Sequence, residues 1–357
     1  MLLNYKLIEP WLLVNKIKNF KNFKISSKSW LKAGGIVKNF ITPNNEEDSV
    51  KLIKFFKKND IKFYVLGNIS NIIIRDGEIY TPIINLYKLS NIYEEKTKNG
   101  LNLKVNAGTS TTKFSKHITN KGITGCEGLV GIPGSIGGGT VMNTGSYGSC
   151  ISDYMTSVEC LDFNGDLKNF KKDELNFSFR KSFFQNKNYL ILNVNFHIPE
   201  KNFIGETETS LKMAKIIDIR NNTQEKKLPN LGSIFGTKNL YRDLKNKNII
   251  FYFTYYLYKI LSFIIYKFSN KNFPTYRKLS VKMYIKLLGL DTSKGFSLSE
   301  KTINCLVNNG SLKANDAIKF ITKMKLEIGK CANLENIILD DIEWPKLKFL
   351  INIKNET

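Results

Sequence analysis

Glycine is concentrated where backbone chemistry would need it. One stretch reads Gly131-Ile132-Pro133-Gly134-Ser135-Ile136-Gly137-Gly138-Gly139, followed by Met142-Asn143-Thr144-Gly145-Ser146-Tyr147-Gly148. A shorter loop, Gly67-Asn68-Ile69-Ser70-Asn71, follows a strand-like run. Without a Cβ in the way, backbone N–H groups approach a phosphate closely, and several in succession form a nest that neutralises it without positive side chains. Two such loops from distant parts of the chain could hold the two ends of a dinucleotide pyrophosphate. Neither has the GxGxxG and downstream acid of a Rossmann unit, nor the Lys-Ser/Thr of a P-loop. Taken singly, each also reads as a set of tight turns without a ligand. His117 and His197 are the only histidines, so a multi-histidine metal site is excluded and no metal is expected. Cys126, Cys150, Cys160, Cys305 and Cys331 are odd in number and contain no CxxC pair, which disfavours a zinc ribbon or disulfide framework and fits a reducing, cytoplasmic compartment.

The elements that would carry these loops follow from local pattern. Asn45 before Glu46, Glu47 and Asp48 reads as a capped helix start, and Lys54, Lys57 and Lys58 near its end match the helix dipole. Ile61 to Leu66 is strand-like and stops at Gly67-Asn68; Asn71 to Ile74 resumes an apolar run that Arg75-Asp76-Gly77 turns. Leu101, Leu103 and Val105 alternate with Asn102, Lys104 and Asn106, as in a half-buried strand. Phe114 and Ile118 give a short helical spacing, 156–200 is strand-like, and 206–221 only partly meets a helical pattern. Ala317, Ile318, Ile321, Met324 and Ile328 form a helical stripe. Residues 1–28 read as a loosely patterned leader, with Lys6, Glu9 and Pro10 arguing against a signal peptide. Alternating strands and helices argue for α/β or α+β.

Length and charge set further bounds. At 357 residues the chain suits two or three domains, and 42% hydrophobic content supports a packed core. The net charge of +23 would ordinarily suggest nucleic acid or an anionic membrane. Only Arg75, Arg180, Arg220, Arg242 and Arg277 are arginines, however, and phosphate and base readers favour the bidentate Arg fork. Lys, Asn and Ile are inflated together, as an AT-rich coding sequence produces, so no nucleic-acid partner is expected. Residues Ile249 to Phe268 are almost wholly apolar, enough for a helix of about 30 Å. Lys259 would oppose insertion by roughly 2.5–3.5 kcal/mol. With Lys245, Lys247, Lys267, Lys271 and Lys278 flanking the run, a packed subdomain, a surface-lying helix in peripheral membrane or protein contact, and a hairpin all remain open.

From Ser29 to Phe196, and again from Leu279 to Ile328, the chain resembles the UDP-N-acetylenolpyruvoylglucosamine reductase (UDP-N-acetylmuramate dehydrogenase) family as a divergent member. The matching pieces are Trp30-Leu31-Lys32-Ala33-Gly34-Gly35, Val65 to Asn71, Gly128 to Gly138, Met142 to Gly148, Phe177-Ser178-Phe179-Arg180-Lys181-Ser182 and Leu231-Gly232-Ser233-Ile234-Phe235. The resemblance implies an α+β fold: a two-part FAD-binding α/β module of the vanillyl-alcohol-oxidase/PCMH kind with a C-terminal α+β substrate domain. Its boundaries are expected at 1–80 and 81–200 for the two FAD-binding subdomains. The substrate-binding domain then spans 201–357, with the apolar insertion at about 240–278. FAD would be bound by Gly67, Asn68, Ser70, Asn71, Gly131, Ile132, Pro133, Gly134, Ser135, Gly137, Gly138, Asn143, Gly145, Tyr147 and Gly148. NADPH would reduce the flavin, whose hydride passes to C3 of the enolpyruvyl ether of a UDP-sugar, giving a peptidoglycan precursor. Arg180 would stabilise charge developing on the substrate carboxylate, and Ser233 would protonate C2.

Three departures stand out. Gly236-Thr237-Lys238 replaces the family's Lys-Asn-Pro, Thr302 replaces a histidine after Ser299-Glu300-Lys301, and the catalytic glutamate of the last strand falls on Ile337. If residues two apart in that strand face the same way, Glu335 would serve instead. The alternatives are a related flavin oxidoreductase for another surface sugar, or a catalytically degenerate flavoprotein scaffold.

Overall fold

The computed structural model describes residues 5–185, 187–268, 273–292, 296–310 and 313–339. The chain forms two compact units. The first comprises 1–23, 37–69 and 78–222, and the second 24–36, 70–77 and 223–357.

Unit 1 holds two five-stranded sheets and a short two-stranded ladder. Its N-terminal part is not the loose leader expected from sequence: helix α1 (Ile8–Val14) buries Ile8 and Leu12 one turn apart, and strand β1 (Lys18–Lys24) follows. β1 lies at the edge of its sheet, so its Lys and Asn side chains meet solvent, which is why the alternation was faint. β2 (Ile36–Thr42) is followed by α2 (Glu46–Lys58), whose Asn45 cap accepts from the Asp48 amide at 2.7 Å. The first-turn acids and the last-turn lysines complement the dipole as expected, and Leu52, Ile53 and Phe56 are buried. The next strand, β3 (Tyr64–Leu66), covers only the second half of the anticipated Ile61–Leu66 run. With β4 (Ile72–Ile74), β5 (Glu78–Ile79) and β6 (Ile83–Asn85) named in chain order, the sheet runs β1-β2-β6-β3, with β5 on β2. β6 is parallel to both β2 and β3, so the α2 crossover puts β3's C-terminal end, and the Gly67 loop, at the parallel edge.

The second sheet of unit 1 is wholly antiparallel. It contains β7 (Ile92–Thr97), β8 (Gly100–Asn106), β9 (Met155–Asp162), β10 (Leu167–Lys171) and β11 (Tyr189–Pro199), in spatial order β10-β9-β11-β8-β7. Leu101, Leu103 and Val105 are buried, and Asn102 and Lys104 are partly exposed, as alternation requires. Asn106 departs from the pattern: it is buried and donates to Asn193 Oδ1 at 2.7 Å. Asn193 in turn donates to Glu46 at 2.9 Å and Glu159 at 3.0 Å, tying α2 to the second sheet. Helix α3 (Thr111–Thr119) is capped by Ser110 and buries Phe114 and Ile118. Helix α4 (Ile136–Val141) lies within the glycine-rich stretch, and α5 (Glu206–Thr223) confirms the partly patterned helix.

Unit 2 contains β4, paired in parallel with the late strand β14 (Ile337–Leu339), and a hairpin of β12 (Phe296–Ser299) and β13 (Thr302–Asn308). Helices α6 (Leu240–Leu244), α7 (Ile249–Phe268) and α8 (Phe273–Leu287) precede the hairpin, and α9 (Ala314–Ile328) follows it. The stripe Ala317, Ile318, Ile321, Met324 and Ile328 is buried throughout. Among the described residues, no helix is long and apolar enough to cross a membrane.

Candidate active site

The two glycine-rich loops meet inside unit 1. Asn68 Nδ2 donates to the Gly134 carbonyl at 2.8 Å, and Asn85 Nδ2 donates to the Leu66 and Gly67 carbonyls, each at 2.7 Å. The approach is so close that a Cβ on Gly67 would stand 2.6 Å from Ser135 Oγ. Ser135 is itself buried and caps α4, accepting from the Gly138 amide at 3.3 Å. Gly137 packs on the preceding segment, where a Cβ would lie 2.9 Å from that of Ala107. Gly131, Gly134 and Gly138 keep their backbone at least partly exposed, and beside Gly138 only Ser135 Oγ, at 3.4 Å, would meet a Cβ. The result is a close junction of two chain segments beside which the backbone of Gly131, Gly134 and Gly138 stays open, the kind of surface that takes a diphosphate.

The rest of the glycine-rich run extends this surface. Asn143, with φ +42°, donates from Nδ2 to the Ser178 carbonyl at 2.9 Å. Ser178 and Lys181 exchange backbone hydrogen bonds of 3.1 Å, and Arg180 sits at the tip of that turn with φ +58°. Its carbonyl accepts from Gln185 at 2.9 Å, and its guanidinium lies 5.5 Å from the Phe179 ring centroid. Gly145 pairs with Cys150 in a short antiparallel ladder, and Tyr147 and Gly148 form its exposed turn. Ile132 and Pro133 are partly buried between Gly131 and Gly134.

Sequence reasoning missed Arg220. It is buried, donates from Nη2 to the Gly128 carbonyl at 2.7 Å, and stacks 4.7 Å over the Tyr147 ring. Burial lowers its pKa, and the Tyr147 phenol opposes that shift. One of five arginines in a lysine-rich chain, it carried a compositional signal, but its partners lie 73 and 92 residues upstream.

Unit 2 gathers the other named residues. Ile234 and Phe235 are fully buried and anchor the turn that exposes Ser233. The Ile234 amide donates to the Asn304 carbonyl at 2.9 Å, and the Phe235 amide donates to Asn304 Oδ1 at 2.8 Å. On the other side, Phe235 bridges Leu334, and the Glu335 amide donates to the Ile234 carbonyl at 2.7 Å. Asn336 is buried and donates from Nδ2 to Asn71 Oδ1 at 2.7 Å and to the Ser233 carbonyl at 3.2 Å. Asn71 Nδ2 donates to the Glu335 carbonyl at 3.0 Å. Ser70 and Asn71 thus belong to unit 2, while Gly67, Asn68 and Ile69 belong to unit 1. Ile337 opens β14, with its amide on the Asn71 carbonyl at 2.9 Å. The expectation that Glu335 and Ile337 face one way rested on strand periodicity, and it needs correction. The chain bends at Asn336 and the strand begins only at Ile337, so the period of two does not extend back to Glu335.

Residues 37–171 match the model of the FAD binding domain, and the chain is a flavoprotein of that class. It is 31% identical to the UDP-N-acetylenolpyruvoylglucosamine reductase of Shouchella clausii (strain KSM-K16) over 225 residues, covering 63% of this chain and 70% of that one. Against the enzyme of the same name from Orientia tsutsugamushi (strain Boryong), identity is 37% over 230 residues, 62% and 72% of the two chains. The chain belongs to the UDP-N-acetylenolpyruvoylglucosamine reductase family. Its fold matches the crystal structure of the Thermus caldophilus enzyme with a TM-score of 0.63 at 20% identity, covering 91% of this chain and all of the other. The two-part FAD-binding module with a C-terminal α+β domain is therefore the architecture of this chain.

Proposed function

We propose that this chain reduces the enolpyruvyl ether of UDP-N-acetylglucosamine to UDP-N-acetylmuramate in the cytoplasm, with NADPH as electron donor. The observation that carries the reading is the junction of the Gly67–Asn68 loop with the Gly134–Ser135 loop, beside which the backbone of Gly131, Gly134 and Gly138 stays open. Gly67, Asn68, Gly131 to Ser135, Gly137, Gly138, Asn143, Gly145, Tyr147 and Gly148 would hold FAD, with Ser70 and Asn71 contributing from the bend that follows Asn68. Bound there and reduced by NADPH, the flavin would supply the hydride that adds to C3 of the enol ether. The chain's own residues handle the charge and the proton. Arg180 pairs with the substrate carboxylate, on which negative charge grows as C2 becomes carbanionic. The Ser233 hydroxyl gives its proton to C2. Glu335, next to Ser233's segment, takes the part of the missing glutamate and, in its protonated form, donates a hydrogen bond to the substrate carboxylate. The two FAD-binding subdomains and the substrate domain divide at about 80 and 200.

A second reading, a flavin oxidoreductase of another surface sugar, is favoured by Ile337, since an isoleucine relays no proton. The test is spectroscopic. Purified protein should carry or take up FAD, bleach on addition of NADPH, and recover colour on addition of the enolpyruvyl sugar. A protein that cannot be reconstituted with FAD refutes both readings. One that bleaches but ignores this substrate leaves the second.

A further inference from the structure

Among the described residues, helix α7 packs on unit 2 along one side. Phe251 is buried and lies 5.9 Å from the Tyr284 ring, and Tyr258 stacks on Tyr241 with centroids 5.2 Å apart. At 100° per residue, Phe251, Tyr255 and Tyr258 share a side of the helix. The opposite side presents Ile249, Phe253, Leu257, Ile260, Phe263 and Ile264. Phe253 and Phe263 are 65% and 66% exposed, so this is an open face and not the rim of a core. Scattered apolar residues on a surface need no explanation, but a continuous apolar face four turns long marks an interaction site.

Charge decides what covers it. From Leu244 to Leu290 the sequence contains no aspartate or glutamate, where the chain average would place about four, yet it holds nine lysines and arginines. Lys259 is exposed beside the apolar face, and Lys278, Lys282 and Lys286 recur every fourth residue on α8, all exposed. Among the described residues, Lys247 pairs with Glu327 and Lys278 with Glu300. A second copy of this chain would set one lysine-rich surface against another. An anionic bilayer answers both halves of the pattern: acyl chains take the apolar face and lipid phosphates take the lysines. Tyr252 and Tyr256, both exposed on this helix, are residues that settle at the headgroup level.

We propose that α7 lies in the plane of an anionic membrane surface, apolar side inward, and holds the enzyme there peripherally. The proposal does not depend on the catalytic reading. It is tested by sedimentation with vesicles of phosphatidylglycerol and phosphatidylcholine in equal parts, with phosphatidylcholine alone, and with the anionic vesicles at high salt. The protein should pellet with anionic vesicles, bind neutral ones far more weakly, and be released by salt. Phe253→Ser with Ile260→Ser should weaken binding more than tenfold. Lys282→Gln with Lys286→Gln should weaken it roughly 25-fold, about fivefold per charge. All four positions are exposed, and an unchanged thermal midpoint checks folding. Wild-type protein that stays in solution with anionic vesicles overturns the proposal, whatever the variants do. So does binding that Phe253→Ser with Ile260→Ser leaves intact, or a monomer–dimer equilibrium abolished by that pair without vesicle binding.

Discussion

Replacing Gly67 by Ala tests whether the two loops are one structure. The new Cβ would stand 2.6 Å from Ser135 Oγ but 3.7 Å from Ser135 Cβ, so the conflict is with the hydroxyl alone. Rotating that hydroxyl away breaks its bond to the Gly138 amide, a cap worth about 1 kcal/mol. It also leaves a buried hydroxyl to find a new partner, so the total cost is about 1–3 kcal/mol. Ser135→Ala loses only the cap, about 1 kcal/mol. In the double variant the two methyl groups are in ordinary contact, and the cost should equal that of Ser135→Ala alone. Urea unfolding of the four proteins should therefore show strong non-additivity, with the second substitution nearly free in the background of the first. FAD titration should follow suit: Gly67→Ala should weaken binding about fivefold or more in the wild type, and change nothing further once Ser135 is Ala. Additive losses within about 0.5 kcal/mol would refute the contact, and with it the joint cradle.

Ser233→Ala should leave reduction of the flavin by NADPH unchanged in stopped-flow absorbance while turnover of the enolpyruvyl sugar falls about 10²–10⁴-fold, the usual worth of a positioned proton donor. Arg220→Met should lower the unfolding free energy by about 1–3 kcal/mol in urea, and Arg220→Lys should not rescue it, because the Gly128 carbonyl and the Tyr147 ring are served together by a planar guanidinium. Asn336→Leu removes the donor to Asn71 and to the Ser233 carbonyl, so kcat should fall with KM little changed in steady-state assays. Burial of Glu159 opposes its charge, yet hydrogen bonds from Lys104, Asn195 and Asn193 hold its carboxyl below the usual carboxylate range. A depressed folded-state pKa gives stability that is present above the unfolded value and is lost as pH falls through the folded one, so Glu159→Gln should flatten the loss of stability below about pH 4.5 in acid titration of the unfolding free energy.

What the sequence made legible, and what it hid, divides along the range of the interaction. The Asn45 cap, the alternation of β8 from Leu101 to Val105 and the buried stripe of α9 are set by neighbours within a few residues, and each stands as read. The glycine loops were visible because a missing Cβ is written in the sequence itself. By contrast, α1 and β1 look unpatterned until a sheet edge explains their polar half. Asn106 reads as the polar phase of an amphipathic strand, and only the partner Asn193, 87 residues on, makes it a buried donor. Arg220 belongs to the same group: nothing near position 220 names Gly128 or Tyr147 as its partners.

The fate of the family's last-strand glutamate turns on the same distinction. Counting along the strand makes Glu335 a substitute by periodicity, and the bend at Asn336 removes that argument. Glu335 comes beside the serine segment for another reason: Phe235 pairs with Leu334, the Glu335 amide is fixed on the Ile234 carbonyl, and the Glu335 carbonyl is held by Asn71. Both peptide groups of Glu335 are therefore tied down, and the direction of its side chain is set by tertiary bonds. In that same ladder the residue opposite Ser233 is Asn336, whose side-chain amide also holds Asn71. If the family's glutamate belongs at 337, as the resemblance implies, it need not be recovered by sliding the strand. The segment 334–336 already joins the serine loop to β4 through two asparagines, and moving it by a residue would break every one of those bonds.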